Sequence, residues 1–107
     1  MLHELRIYEV VPGKLPALND RFANITMPLW KKHGIIPVAF WTEDIGTSNR
    51  LVYILAWESL ADREKKWAAF QADTEWQQKR AETEKGGPLV AQVKNSMLRP
   101  TPYSPMK

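Results

Sequence analysis

Residues 36–58 read IPVAFWTEDIGTSNRLVYILAWE, and this stretch decides the architecture. Two runs rich in β-branched and aromatic residues, Ile36 to Glu43 and Arg50 to Glu58, flank Gly46-Thr47-Ser48-Asn49. Such runs suit a pleated surface, and small polar residues between them suit a chain reversal, so the segment predicts a hairpin of two antiparallel strands. Alternation divides the second run into Leu51, Tyr53, Leu55 and Trp57 on one face and Val52, Ile54 and Ala56 on the other. Neither set is polar, which asks for cover on both faces.

Toward the N-terminus, Leu2 to Val10 also alternates, with Leu5 and Ile7 pointing one way and Glu4, Arg6 and Tyr8 the other. That is a strand, and Pro12-Gly13 ends it. Leu15, Leu18, Phe22, Ile25 and Leu29 then recur at spacings of three and four, the stripe of a helix with one buried side. Pro28 has no amide hydrogen and its ring crowds the carbonyl of Asn24, so a kink or restart is expected there. His33-Gly34 places an imidazole in the last turn and a glycine at the cap, a helix end.

Toward the C-terminus, Leu60, Glu64, Trp67 and Phe70 or Gln71 set a second helical period, with Ser59 as N-cap. Asp73 or Thr74 restarts this helix through Trp76 to Glu84, and Gly86-Gly87-Pro88 closes it. Leu89 to Leu98 alternates as a fourth strand, and a proline-spaced tail, residues 99–107, follows in extended form. The order strand, helix, strand, strand, helix, strand predicts an α+β ferredoxin-like βαββαβ domain spanning residues 1–107. Its four-stranded antiparallel sheet carries both helices on one face.

The composition agrees with one ordinary globular domain: 107 residues, 44% apolar and 25% charged. No cysteine is present, which removes disulfides, thiolate nucleophiles and sulfur-ligated metals together. The net charge of +3 is not gathered into a block, since Lys65-Lys66 follows Glu64 and Lys79-Arg80 precedes Glu82. Interleaved signs describe a solvated helix surface, so no nucleic-acid partner is expected. No run approaches the roughly 20 apolar residues of a membrane span and no secretion signal opens the chain, so the expected location is cytoplasmic.

With both helices on one face, the other face of the sheet is left apolar whichever set of the third strand it carries. With Leu5 and Ile7 toward the helices, that open face takes Glu4, Arg6 and Tyr8, beside Tyr53 and Trp57. Exposing several such side chains, at about 25 cal/mol per Å², forgoes several kcal/mol, and a two-fold partner is the simplest cover. A homodimer through the open sheet face is therefore expected.

Several segments occur together and in order: Glu4-Leu5-Arg6-Ile7-Tyr8 with Pro12-Gly13, His33-Gly34, Phe40-Trp41-Thr42, the run Leu51 to Leu60, and Leu98-Arg99-Pro100-Thr101-Pro102-Tyr103-Ser104-Pro105. In this the chain resembles the NIPSNAP family over nearly its full length. The resemblance implies a dimeric α/β barrel of ferredoxin-like subunits, in a superfamily that also holds cofactor-free monooxygenases and haem-dependent enzymes. It implies no particular reaction, because the family has no generally agreed activity.

Among single residues, His33 is the candidate general base, since imidazole titrates near neutrality, while a helix-terminal imidazole favoured by the dipole is the plainer account. His3, near the chain end, reads as a surface strand position. Glu4, Arg6 and Tyr8 share a strand face at spacings of about 7 Å, so an ion pair beside a hydroxyl would bind or polarise an oxygenated ligand, or fix an interface. Of the five tryptophans, Trp30 and Trp67 lie on helical stripes and read as core, and Trp76 packs the end of the second helix. Trp41 and Trp57 lie on strands and, with Glu4 and Tyr53, are candidates to line a ligand cavity. The two histidines and Glu43-Asp44 make no metal-binding spacing, and no phosphate loop or nucleophile elbow is present, so no metal and no cofactor are expected.

The expected function is binding of a small apolar or aromatic molecule in the barrel, with any catalysis at His33, Arg6 and Tyr8. A cofactor-free monooxygenase or isomerase with His33 as base is the enzymatic alternative. An interaction module acting through Pro100 to Pro105 is the non-catalytic one.

Overall fold

The computed structural model describes residues 1–107. Strand β1, Leu2–Val10, runs up the middle of a four-stranded antiparallel sheet. It pairs with β3, Arg50–Trp57, on one side and β4, Val90–Leu98, on the other. The hairpin partner β2, Ile36–Thr42, lies outside β3, so the order is β2-β3-β1-β4 with β2 and β4 as edges. This is the expected α+β arrangement.

The helices form as two broken pairs. The first is α1, Leu15–Arg21, a π-helical turn Phe22–Thr26, and α2, Met27–His33. The interruption expected at Pro28 takes the form of that wide turn: the amide of Met27 reaches back to the carbonyl of Phe22, five residues away. Gly34 then ends α2 at φ 72°, a left-handed conformation that a side chain resists. The second pair is α3, Leu60–Ala72, and α4, Thr74–Thr83. The Ser59 side chain accepts the Asp62 amide at 3.0 Å and caps α3, while Asp73 accepts the Glu75 amide at 2.8 Å and caps α4. No helix is long and apolar enough to cross a membrane.

Both helical pairs pack on one face of the sheet. There Leu51, Tyr53, Leu55 and Trp57 meet Leu18, Phe22, Leu29, Trp30 and Phe70 in a continuous apolar core. Register then decides β1. Arg6 stands opposite Tyr53, Glu4 opposite Leu55 and Tyr8 opposite Leu51, and directly opposed residues share a face. Glu4, Arg6 and Tyr8 therefore lie under the helices, where Glu4 is fully buried.

This corrects the expectation that Glu4, Arg6, Tyr8, Tyr53 and Trp57 occupy the open face. The bulkier set of β3 goes under the helices and carries its β1 partners with it. The charges are tolerated there because they find partners. Of the proposed lining residues only Trp41 lies on the open face, opposite Val52 and half exposed.

The open face carries Leu5, Ile7, Val52 and Ile54 at its centre, with exposed Ile36, Trp41 and Leu98 around them. Toward one end Glu9 pairs with Arg50 at 2.9 Å. His3 is not the surface position expected of it: it stands between Ala56 and Leu98 in the central strand and is only 6% exposed. Past β4 the tail has no helix or strand. It is not extended throughout, because a turn at Thr101 is closed by the Ser104 amide at 3.1 Å.

Candidate functional site

Beneath the helices, a carboxylate organises the polar part of the core. Glu4 Oε2 accepts from Arg6 Nη1 at 2.9 Å, Asn95 Nδ2 at 2.9 Å and Arg63 Nη2 at 3.1 Å. Its Oε1 accepts from Trp57 Nε1 at 3.0 Å and Arg63 Nε at 2.9 Å. Burial pushes the Glu4 carboxyl up, but the hydrogen bonds from Arg63 and Asn95 and the charge of Arg6 outweigh it, and it falls to about 2. Glu4 is thus a fully engaged anion, which leaves it no lone pair for chemistry.

Arg6 carries this cluster toward the helices. Its Nε donates to the Tyr53 hydroxyl at 2.7 Å, and Tyr53 donates to the Tyr8 hydroxyl at 2.7 Å. Burial, with Tyr8 adding to it, holds the Tyr53 phenol well above its ordinary value, so it is a neutral donor. The Arg6 guanidinium lies 4.6 Å from the centre of the Trp67 ring, a cation–π contact.

Above Arg6 and Tyr8 the helices do not close fully on the sheet. They leave a cavity of about 260 Å³ walled by Phe22, Trp30, Trp67, Phe70 and Trp76. These rings are in contact in sequence: Phe22 to Trp30 at 5.5 Å, Trp30 to Trp67 at 6.2 Å, Trp67 to Phe70 at 5.5 Å and Phe70 to Trp76 at 4.7 Å. Gln71, Arg80 and Val93, all exposed, mark its mouth.

The π-turn explains how one helical pair supplies Phe22, Thr26 and Trp30 to one wall. In an α-helix a step of four residues overshoots a turn by roughly 40°. The wider π-turn undershoots, so the step from Phe22 to Thr26 offsets the step from Thr26 to Trp30, and the three stay in line. Such turns recur at functional sites.

Four buried side-chain groups have no hydrogen-bond partner within the protein: Arg21 Nε, Thr26 Oγ1, Trp30 Nε1 and Trp76 Nε1. All four residues line this one cavity. Leaving such groups unmet costs on the order of 1–3 kcal/mol each, a sum that rivals the about 5–15 kcal/mol by which small domains are stable. Arg21 uses its other edge, Nη1, on Glu84 at 2.8 Å and Thr83 at 3.3 Å.

A wider groove of about 590 Å³ runs along Ala23, Met27, Pro28 and Ile35 to Pro37, but Lys31 is the one charged residue lining it and it has no aromatic wall. The inner cavity is smaller and carries the chemistry.

Of the residues singled out from sequence, Arg6 and Tyr8 line the cavity, and Glu4, Tyr53 and Trp57 hold them from below. Trp41 is on the opposite face. His33 is not among the lining residues; its Nε2 lies 2.7 Å from Asp73 Oδ2, at the joint between α3 and α4. Hydrogen bonds from Lys32 and His33 hold the Asp73 carboxyl well below its ordinary value. No group of three or more metal-binding side chains is assembled.

Sequence reasoning missed Arg21, Thr26, Trp30, Trp67 and Trp76. The tryptophans at helical spacing carry the same signal as any core. The available pointer was Pro28, which announced an irregular turn without locating what the turn aligns.

The NIPSNAP family model matches residues 3–105. Among solved structures, the chain is similar to a NIPSNAP family protein of unknown function from Agrobacterium tumefaciens. The two are 27% identical over 100% of this chain and 94% of that one, with a TM-score of 0.88. An uncharacterised NIPSNAP-like domain protein from Burkholderia xenovorans is 26% identical over 97% of this chain and 88% of its own, with a TM-score of 0.86. A candidate antibiotic biosynthesis monooxygenase from Nitrosomonas europaea shares the fold alone: 15% identity, 94% and 98% coverage, and a TM-score of 0.63. No curated protein matches the sequence.

Proposed function

The chain belongs to the NIPSNAP family, and from that premise we propose that it is a cytoplasmic homodimer whose subunits each bind a small aromatic molecule between helices and sheet. The carrying observation is the cavity walled by five aromatic rings above Arg6 and Tyr8. At about 260 Å³ it lies just below the range of about 300–1,000 Å³ usual for drug-sized ligands, so a single-ring body suits it. Aromatic walls favour planar ligands through edge and face contacts. Arg6 and Tyr8 supply the polar floor, and Glu4 fixes Arg6 so that binding need not order it. This relocates the ligand from the space between paired sheets to the inside of each subunit. The apolar open face then serves the dimer.

A screen of single-ring compounds by ligand-observed NMR tests this reading. Binders should appear, and Val93→Trp, which places an indole at the mouth, should abolish their signals while the far-ultraviolet spectrum stays native. If the binders are indifferent to Val93→Trp, or if no ring compound binds, the cavity is not a binding site.

A further inference from the structure

Resting on the cavity reading above, we infer that the ligand carries a carboxylate, received at the Arg21 end of the cavity. Three of the four unpartnered groups there, Arg21 Nε and the indole nitrogens of Trp30 and Trp76, can only donate, and the Thr26 hydroxyl can donate as well. Their residues are each more than nine-tenths buried. A site made of donors calls for an acceptor, and an ionised carboxylate offers about four lone-pair positions and no hydrogen.

Charge points the same way. The cavity is lined by Arg6, Arg21 and Arg80 and by no acidic residue. Arg6 is matched by Glu4, and Arg63, which shares Glu4, also pairs with exposed Glu64 at 2.9 Å. Arg21 and Arg80 instead share one carboxylate, Glu84, at 2.8 and 3.0 Å, which leaves one positive charge in excess at that end.

The Arg21 guanidinium is held in place, with its Cζ 5.6 Å from the centre of the Trp76 ring and Nη1 fixed by Glu84 and Thr83. Its Nε edge is the one left over, and the edge formed by Nε and Nη2 is what a carboxylate meets with two parallel hydrogen bonds. The ligand is thus a small aromatic acid, its ring among Phe22, Trp30, Trp67 and Phe70 and its carboxylate at Arg21.

The test compares benzoate, 4-hydroxybenzoate and phenylacetate with their primary amides, which keep ring and size and lose the charge, on the full chain by tryptophan fluorescence. Inorganic phosphate is the anion without a ring. The acids should bind about tenfold or more tighter than their amides, the ratio expected of a charge-assisted hydrogen bond, and phosphate should not displace them at equal concentration. Arg21→Lys, which keeps the charge but loses the fork, should shrink that ratio, and Thr26→Val should lower acid affinity while leaving the amides alone.

Equal affinity of acids and amides overturns the carboxylate and leaves the aromatic cavity standing. Phosphate binding as tightly as the acids overturns the ring as part of recognition. No binding by any ring compound, acid or amide, overturns both readings. The acid-to-amide ratio is read on the unmutated chain, so a variant that fails to fold does not decide the outcome.

Discussion

Glu4 is the residue on which the polar core turns. It pairs with Arg6 and Arg63 at once, Arg63 sharing it with Glu64, and removing one partner of a buried ion pair strands the other charge. Glu4→Gln should therefore lower the unfolding free energy by about 3–5 kcal/mol in urea titrations at pH 7. The dependence on pH has a definite sign. The folded carboxyl lies at about 2, below its ordinary 4.5, so its contribution is fully present above 4.5 and is lost as the pH falls toward 2. A depression of this size corresponds to roughly 3 kcal/mol. Wild type should lose about that much more than Glu4→Gln between pH 5 and pH 2, the other depressed carboxylates such as Asp73 acting equally in both; parallel curves would remove Glu4 as the cause. The strand itself showed Arg6 within reach of Glu4 and Tyr8, as found, but not that the pair is buried. A charged residue in an alternating strand reads as outward, and the groups that make burial tolerable are 59 and 91 residues away, at Arg63 and Asn95.

The elements were legible because period and punctuation are local. Alternation marked β1, β3 and β4 to within a residue at each end, and Ser59 was readable as a cap because a short oxygen side chain ahead of an acidic first turn does one thing well, while the sequence leaves the restart between Asp73 and Thr74 and the structure chooses Asp73. Ser59→Ala should cost α3 about 1 kcal/mol in chemical denaturation with no change in slope. Gly34→Ala should cost a comparable amount, about 1–2 kcal/mol, because alanine resists the left-handed conformation at φ 72°. A Gly34→Ala protein as stable as wild type would mean that α2 can end another way. What period could not convey was the facing of β1 and the alignment of Phe22, Thr26 and Trp30. Facing is settled by the strand alongside, and the alignment depends on a turn that departs from the helical period used to find helices.

Across the whole molecule, the sheet separates two jobs. One face, under the helices, holds the cavity. The other is apolar, with Val52, Ile54, Leu5 and Ile7 half-buried at its centre and Ile36, Trp41 and Leu98 exposed around them. Light scattering on the eluted protein should give the mass of two chains at micromolar concentration, and Ile54→Asp should shift it to one. A wild-type monomer there would sink the proposed pairing. Because the two faces are distinct, Ile54→Asp should leave ligand affinity within about threefold, a change of under 1 kcal/mol, if the cavity is complete in one subunit. The residues that define the open face were legible as an apolar pair of sets in β3, but which set it carried was not.

The π-turn has a consequence for chain length. Such a turn is an α-helix holding one residue too many, and a protein can lose that residue in a single genetic step. Deleting Asn24 would let the turn relax to the α form, where three steps of about 100° replace four that now fall just short of a full turn, so Arg21 and Phe22 rotate by only a few tens of degrees relative to Thr26 and Trp30. It would also bring the Pro28 ring against a carbonyl that the wide turn now keeps clear. The helix would gain regularity in one place and strain in another. A one-residue deletion here should therefore be felt first at Pro28, as a lower midpoint in urea, with the cavity wall kept nearly in line.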